Sequence, residues 1–210
     1  MIFRLIAMVV FAAGVVLLVL FLGLLGEGPG SSIESKHLRA MKERKSAPLS
    51  YTPFTTDSFT ALPHRWTWNR YARIEQRGVS FIGWAQRTLP AGDGDMHLEL
   101  TPAPHGENAP DTLYVTAEVT PWWRHRSQAW SYESLLGVLR PNDGGTTRWA
   151  GGPQQVRVSG WLLYDFQYDR PNSSWTMQHG APRLTGWEIH PVTRIEAWDD
   201  AAHAWLEVKP

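Results

Sequence analysis

Arg183-Leu184-Thr185-Gly186-Trp187-Glu188-Ile189-His190-Pro191-Val192-Thr193 alternates apolar and ionisable side chains along an extended run. Successive side chains of a β-strand point to opposite faces, so Trp187 and Ile189 share one face and Glu188 and His190 the other. The stretch reads as a strand that is apolar inside and carries a carboxylate and an imidazole outside. Working back along the chain, Asp93-Gly94-Asp95-Met96-His97-Leu98-Glu99-Leu100 repeats the pattern, with Met96, Leu98 and Leu100 set against His97 and Glu99. Leu113 to Thr120 sets Val115, Ala117 and Val119 against Thr116 and Glu118. Gln155 to Phe166 sets Val156, Val158, Leu162 and Tyr164 against Arg157 and Ser159. Gly78 to Thr88 is rich in β-branched and aromatic residues and runs up to Pro90, and Trp187 to Trp198 completes five strand-like runs.

Between the third and fourth runs, Ser131 to Arg140 carries Leu135, Leu136, Val138 and Leu139 at helical spacing, and Pro141-Asn142-Asp143-Gly144-Gly145 stops it. Three strands, a helix and two strands is the order of the five-stranded OB barrel. The fold class expected is therefore mainly β: an OB-like barrel with one helix between strands three and four. A small β-sandwich or a different five-stranded barrel uses the same strand count. Ala201 to Pro210, with Trp205, Leu206 and Val208, adds a short flanking strand.

The 210 residues hold one domain and an anchor. Lys plus Arg and Asp plus Glu both total 20, so no dominant basic field is present to grip a polynucleotide. The absence of cysteine removes disulfides, thiolate metal sites and thiol catalysis together. Twelve tryptophans supply large apolar areas, each with one N–H, suited to cores and to stacking surfaces.

Leu5 to Leu25 carries no charge and is long enough to span a hydrocarbon core of roughly 30 Å. It exceeds a signal-peptide apolar region of about 7–15 residues, and no A-x-A cleavage site follows. The expectation is a single N-terminal transmembrane helix over residues 1–26, an uncleaved signal-anchor. Residues 27–62, rich in Gly, Ser, Pro and charge, read as a flexible tether, and 63–210 as the barrel domain. The basic residues from Lys36 to Lys45 are preceded by Glu34 and interrupted by Glu43, which argues against a basic patch on anionic lipid.

Strand parity sets the chemistry. With the apolar residues inside, Asp95, His97, Glu99 and Glu118 share the outer face, and Glu188 and His190 join them across the sheet. Asp165 falls near the end of the fourth strand. Three readings stay open for this set. Two imidazoles and several carboxylates form a ligand set for Zn²⁺, Mn²⁺ or Ca²⁺. Carboxylate–imidazole pairs perform general acid–base work. Or the set is a hydrogen-bonded network that pins strand register. No H-x-H or H-E-x-x-H motif is present to favour the metal.

Gly92-Asp93-Gly94-Asp95-Met96-His97-Leu98, the run Val156 to Asp165, and Thr185-Gly186-Trp187-Glu188-Ile189-His190-Pro191-Val192 together resemble a family of uncharacterised bacterial proteins. In that family a D-G-D-x-H run is followed by a G-x-x-x-x-D strand and a W-E-x-H-P strand. The resemblance covers about Val79 to Trp198. Its members often place a histidine just after the aspartate that matches Asp165, where this chain has Gln167 and Tyr168. It implies a bacterial chain; the apolar run Leu5 to Leu25 then places it in the inner membrane, and the short tail Met1-Ile2-Phe3-Arg4, which favours retention inside, points the main domain to the periplasmic side. The resemblance implies no activity. The Asp93-Gly94-Asp95 turn also resembles the Ca²⁺-dependent phosphodiesterase site of thermonuclease-like OB enzymes, over three residues. A tight turn needing glycine at positive φ accounts for the same three residues.

Trp122, Trp123, Arg124 and Arg126 form the expected stacking and cationic surface, joined by Trp175 in the loop between the fourth and fifth strands. Loops at that end of OB barrels grip oligonucleotides and oligosaccharides. Zero net charge turns the expectation from nucleic acid towards glycan or protein partners. The expected function is a membrane-anchored binding or interaction module, with a metal-dependent hydrolase on the polar face as the alternative.

Overall fold

The computed structural model describes residues 32–64, 68–104, 113–126, 130–131, 135, 153–169 and 183–208. The chain divides into two compact units, 1–39 and 40–210. The expected transmembrane segment, Leu5 to Leu25, lies outside the described residues. Among those residues no helix is long and apolar enough to cross a membrane. Helix α1 runs over Ile33–Lys42. Ser32 Oγ accepts the Ser35 N–H at 3.0 Å at its start, satisfying one of the backbone donors a helix leaves free there.

In the larger unit, β1 (Thr52–Phe54) and the short helix α2 (Thr56–Thr60) precede helix α3 (Trp68–Ile74). Strands β2 (Gly78–Pro90), β3 (Met96–Thr101) and β4 (Val115–Val119) follow, then the single-turn helix α4 (Pro121–Arg124). Strands β5 (Gln154–Tyr164), β6 (Trp187–Asp199) and β7 (Ala204–Val208) complete the order. The sheet runs β1-β2-β3-β4-β6-β5 and closes by a β2–β5 pairing, with β7 added beside β6. A closed five-strand barrel with two extra strands results. Length makes β2 the closing element: Gly78–Ala85 pairs with β5, and Trp84–Pro90 with β3. Strand β4 meets β6 in parallel at Ala117↔Ile189. Counted along the barrel, the second strand pairs with the third, and the fifth lies between the third and the fourth.

The alternating apolar residues fill the barrel. Met96, Leu98, Leu100, Val115, Ala117, Val119, Val156, Val158, Leu162, Tyr164, Trp187 and Ile189 all belong to one buried cluster. Trp187 faces inward as parity requires; it sits 4.9 Å from the Tyr164 ring, and its indole N–H donates to Pro63 O. Two register shifts between β5 and β6 bring Val192 and Ile195 back to the core after Ile189. Gly160 permits that irregularity, because a Cβ there would meet Pro191 O at 2.3 Å.

The expected tether differs from the structure. Residues 40–62 supply β1, which pairs in parallel with β2, and Phe59, which is fully buried in the core. Indole N–H groups fasten the same stretch: Trp123 donates to Arg44 O and Trp161 to Ser46 O. Polar composition hid the segment, since a few well-placed aromatics carry its packing. Of the helix expected at Ser131 to Arg140, Ser131 and Leu135 are described. The Leu135 N–H donates to Ser131 O at 3.0 Å, a helical i→i−4 bond; the remaining positions lie outside the described residues.

Candidate metal centre

The register of three strands assembles the polar site. His97 and Glu118 are direct cross-strand partners of β3 and β4, as are Glu99 and Thr116. The parallel meeting of Ala117 with Ile189 sets Glu118 beside Glu188 and His190. At the start of β3, Gly94 adopts φ +90°, and the Asp95 N–H donates to Asp93 Oδ1 at 3.2 Å. The D-G-D run is therefore a tight turn of the glycine-requiring kind. It delivers Asp95, rather than Asp93, to the centre.

His190 stands in the middle. Its Nδ1 lies 2.9 Å from Glu188 Oε1, to which it is hydrogen-bonded, and 2.9 Å from Glu118 Oε2. The second contact is out of alignment, so Glu118 Oε2 has no hydrogen-bond partner among the described residues. His190 Nε2 faces Asp95 Oδ2 at 3.4 Å and also lacks a hydrogen-bond partner among those residues. Glu118 Oε1 accepts from Arg183 Nη2 at 2.9 Å and lies 3.2 Å from His97 Nε2. Arg183 also donates to Glu188, and its guanidinium stacks 3.7 Å from the Tyr168 ring centre. Glu99 takes the Thr116 hydroxyl at 2.8 Å, and Asp165 pairs with Lys42 at 3.0 Å.

The expected outer polar face is thus real but not solvated. The side chains of Glu118, Glu188 and His190 are at most 1 % exposed, and His97 is the most open of the four at 18 %. Arg183 and Tyr168, from the ends of the segment joining β5 to β6, lie against this face. Desolvation and charge then oppose each other. Burial acts to lower the His190 pKa, but Glu118 and Glu188 outweigh it and push the imidazole up to about 9. Burial likewise opposes the shift at His97, where Glu118 and Glu99 raise it to about 9. Burial lifts Asp95 to about 6 despite the pull of His190. For Glu118 burial acts upward, yet His97 and His190 hold it well below the usual carboxylate range. Lys42 and Arg183 are held above their ordinary values, against the effect of burial, by Glu118, Glu188 and Asp165.

Among the described residues, five carboxylates therefore face four cationic side chains, leaving one negative charge over. Asp95, Glu118 and His190 each turn one ligand atom into a space where these atoms lie within 4.8 Å of one another. This buried group is of the size and type that holds a metal ion. A divalent cation bound there in place of the His190 proton would add one unit of positive charge and offset that excess. The Glu188–Nδ1 hydrogen bond would fix the imidazole with Nε2 free to ligate, the carboxylate–histidine arrangement usual behind metal-bound imidazole.

Of the residues expected at the site, Asp95, His97, Glu118, Glu188 and His190 come together, and Asp165 joins through Lys42. Sequence reading missed Lys42 and Arg183. Arg183 lay inside the decisive stretch, but nothing local marked its length as reaching Glu118; Lys42 lay in the supposed tether. The expected stacking surface divides. Trp122 is exposed, with Lys45 Nζ 4.6 Å from its ring, whereas Trp123 is buried against Trp130. Arg126 stacks on Trp123 at 5.3 Å, and Arg124 donates to Gly94 O. The Trp122–Trp123 pair splits because a single helical turn points consecutive residues in different directions. Trp175 lies outside the described residues. Comparison with protein-family models, curated proteins and solved structures found no match for this chain.

Proposed function

We propose that this chain is a membrane-anchored, OB-like binding module built around a divalent-cation centre at Asp95, Glu118 and His190. One observation carries the metal: His190 Nε2 is fully buried and unbonded among the described residues, facing a carboxylate 3.4 Å away. Leaving a buried polar atom unpaired costs about 1–3 kcal/mol, and a ligated cation removes that cost. Nitrogen and carboxylate donors favour Zn²⁺ or Mn²⁺, and Ca²⁺ fits less well with an imidazole in the set. The anchor rests on the uncharged run Leu5 to Leu25. Glycan or protein is the ligand class that zero net charge favours over nucleic acid.

Elemental analysis of the purified full chain after exposure to Zn²⁺ or Mn²⁺ tests the centre. Stoichiometric metal is expected, and Asp95→Asn should lose it while remaining folded. Wild-type protein that retains no metal would sink the proposal. A second reading, a metal-dependent hydrolase of phosphodiester type, is favoured by the number of donors. Three protein ligands are the pattern of catalytic rather than structural metal sites. Metal-dependent turnover of a chromogenic phosphodiester, abolished in Glu118→Gln, would support it over the binding module.

A further inference from the structure

A cleft of about 590 Å³ opens where β1, β2, β5 and β6 lie side by side, and it shares no residue with the metal centre. That volume is ordinary for a small-molecule site. Part of its lining is apolar: Pro53, Phe54, Phe81, Ile82 and Pro102, with the Ile82 side chain about half exposed. The polar part is dominated by Arg157, Arg194 and Glu196.

The two guanidiniums converge on one carboxylate. Arg157 Nη1 donates to both Glu196 oxygens at 3.1 Å, and Arg194 Nη2 donates to Glu196 Oε1 at 3.3 Å. Glu196 is 6 % exposed, whereas the arginines are 31 % and 41 % exposed. The lining therefore carries one positive charge more than it neutralises. Glu207 stands 3.6 Å from Arg194 Nη2, but it is 38 % exposed and does not line the cleft; solvent weakens such a pair. Arg194 Nε is buried and has no hydrogen-bond partner among the described residues. Arg157 is steadied by the Trp205 ring, 4.6 Å from its Cζ.

We propose that this cleft binds a small monocarboxylate with an aromatic or aliphatic body. A guanidinium fork matches the two oxygens of a carboxylate, so Arg194 and Arg157 take the head group. Phe54, Ile82 and Pro102 cover the body, whose burial supplies the remaining affinity. The single excess charge matches a monoanion and leaves a doubly charged phosphate uncompensated.

A fluorine NMR titration of the full chain with para-fluorobenzoate, and with para-fluorobenzamide as its uncharged isostere, tests the assignment. Saturable binding of the acid is expected, at least about tenfold tighter than the amide. Arg194→Gln should weaken the acid by a similar factor. Ile82→Ser, which removes apolar area from a half-exposed position without adding charge beside its cross-strand partner Arg157, should weaken it through the apolar wall. Equal affinity for acid and amide would reduce the cleft to a greasy groove and overturn the proposal. Binding unchanged in both variants, or no saturable binding at all, would overturn it too.

Discussion

Arg183 shows how much one side chain decides here. Its guanidinium spans Glu118 and Glu188, both essentially without solvent contact. Removing one partner of such a pair leaves charge buried and uncompensated, which costs about 3–5 kcal/mol. Arg183→Met is expected to lower stability by that amount in urea unfolding. A loss within about half a kcal/mol, the range of surface substitutions, would mean that the clamp is not formed. The histidines add a pH signature. His97 and His190 have folded pKa values raised to about 9 from an ordinary 6.5. Their contribution to stability is fully present below the unfolded value and is lost as pH rises through the folded one. Chelated protein should therefore lose stability between about pH 6.5 and about pH 9. A urea midpoint that stays flat across that window contradicts the paired-imidazole geometry.

At the scale of elements, the site exists because three strands hold register. His97 on β3 and His190 on β6 both approach Glu118 on β4. Residues that share a partner couple energetically by about 0.5–3 kcal/mol, while independent sites add to within a few tenths. A double-mutant cycle of His97→Ala and His190→Ala should show such coupling. Coupling that disappears on adding chelator identifies the cation as its carrier, since a ligand of the native state stabilises only that state. Simple additivity would separate the two histidines and remove the shared centre. The irregular pairing of β5 with β6 is equally local in cause: Gly160 lets Pro191 approach, and the polar half of β6 is thereby offset from the half that lines the arginine cleft.

For the molecule as a whole, the segment before α3 belongs to the folded unit. Phe59 packs edge-on to Phe54 and Phe81, at 5.3 and 6.0 Å between ring centres. Arg44 donates to Glu75 O at 2.8 Å and stacks over Trp161 at 4.5 Å. Lys42 neutralises Asp165 from the same stretch. A chain beginning at residue 40 should unfold in one cooperative transition. One beginning at residue 63 loses Phe59, and emptying a buried aromatic site alone costs about 3–5 kcal/mol. Equal urea midpoints for the two would return residues 40–62 to the role of a tether.

Period-two alternation determined the strands, their inward faces and the strand-borne members of the polar set. Each rests on neighbours in sequence, and side-chain direction in a strand follows from position alone. Trp187 inward and Glu188 with His190 outward needed nothing more. The Gly94 turn was legible for the same reason, because positive φ is a local demand that glycine meets. Solvation was not legible. Whether an outward-facing carboxylate meets water depends on what crosses it. Here Arg183 and Lys42 reach the site from distant parts of the chain. Only the tertiary structure could decide that the polar face is buried, that His190 Nε2 is left unbonded among the described residues, and that two arginines of different strands share Glu196. Burial, charge balance and unpaired atoms are properties of contacts between remote segments, and no spacing within one segment encodes them.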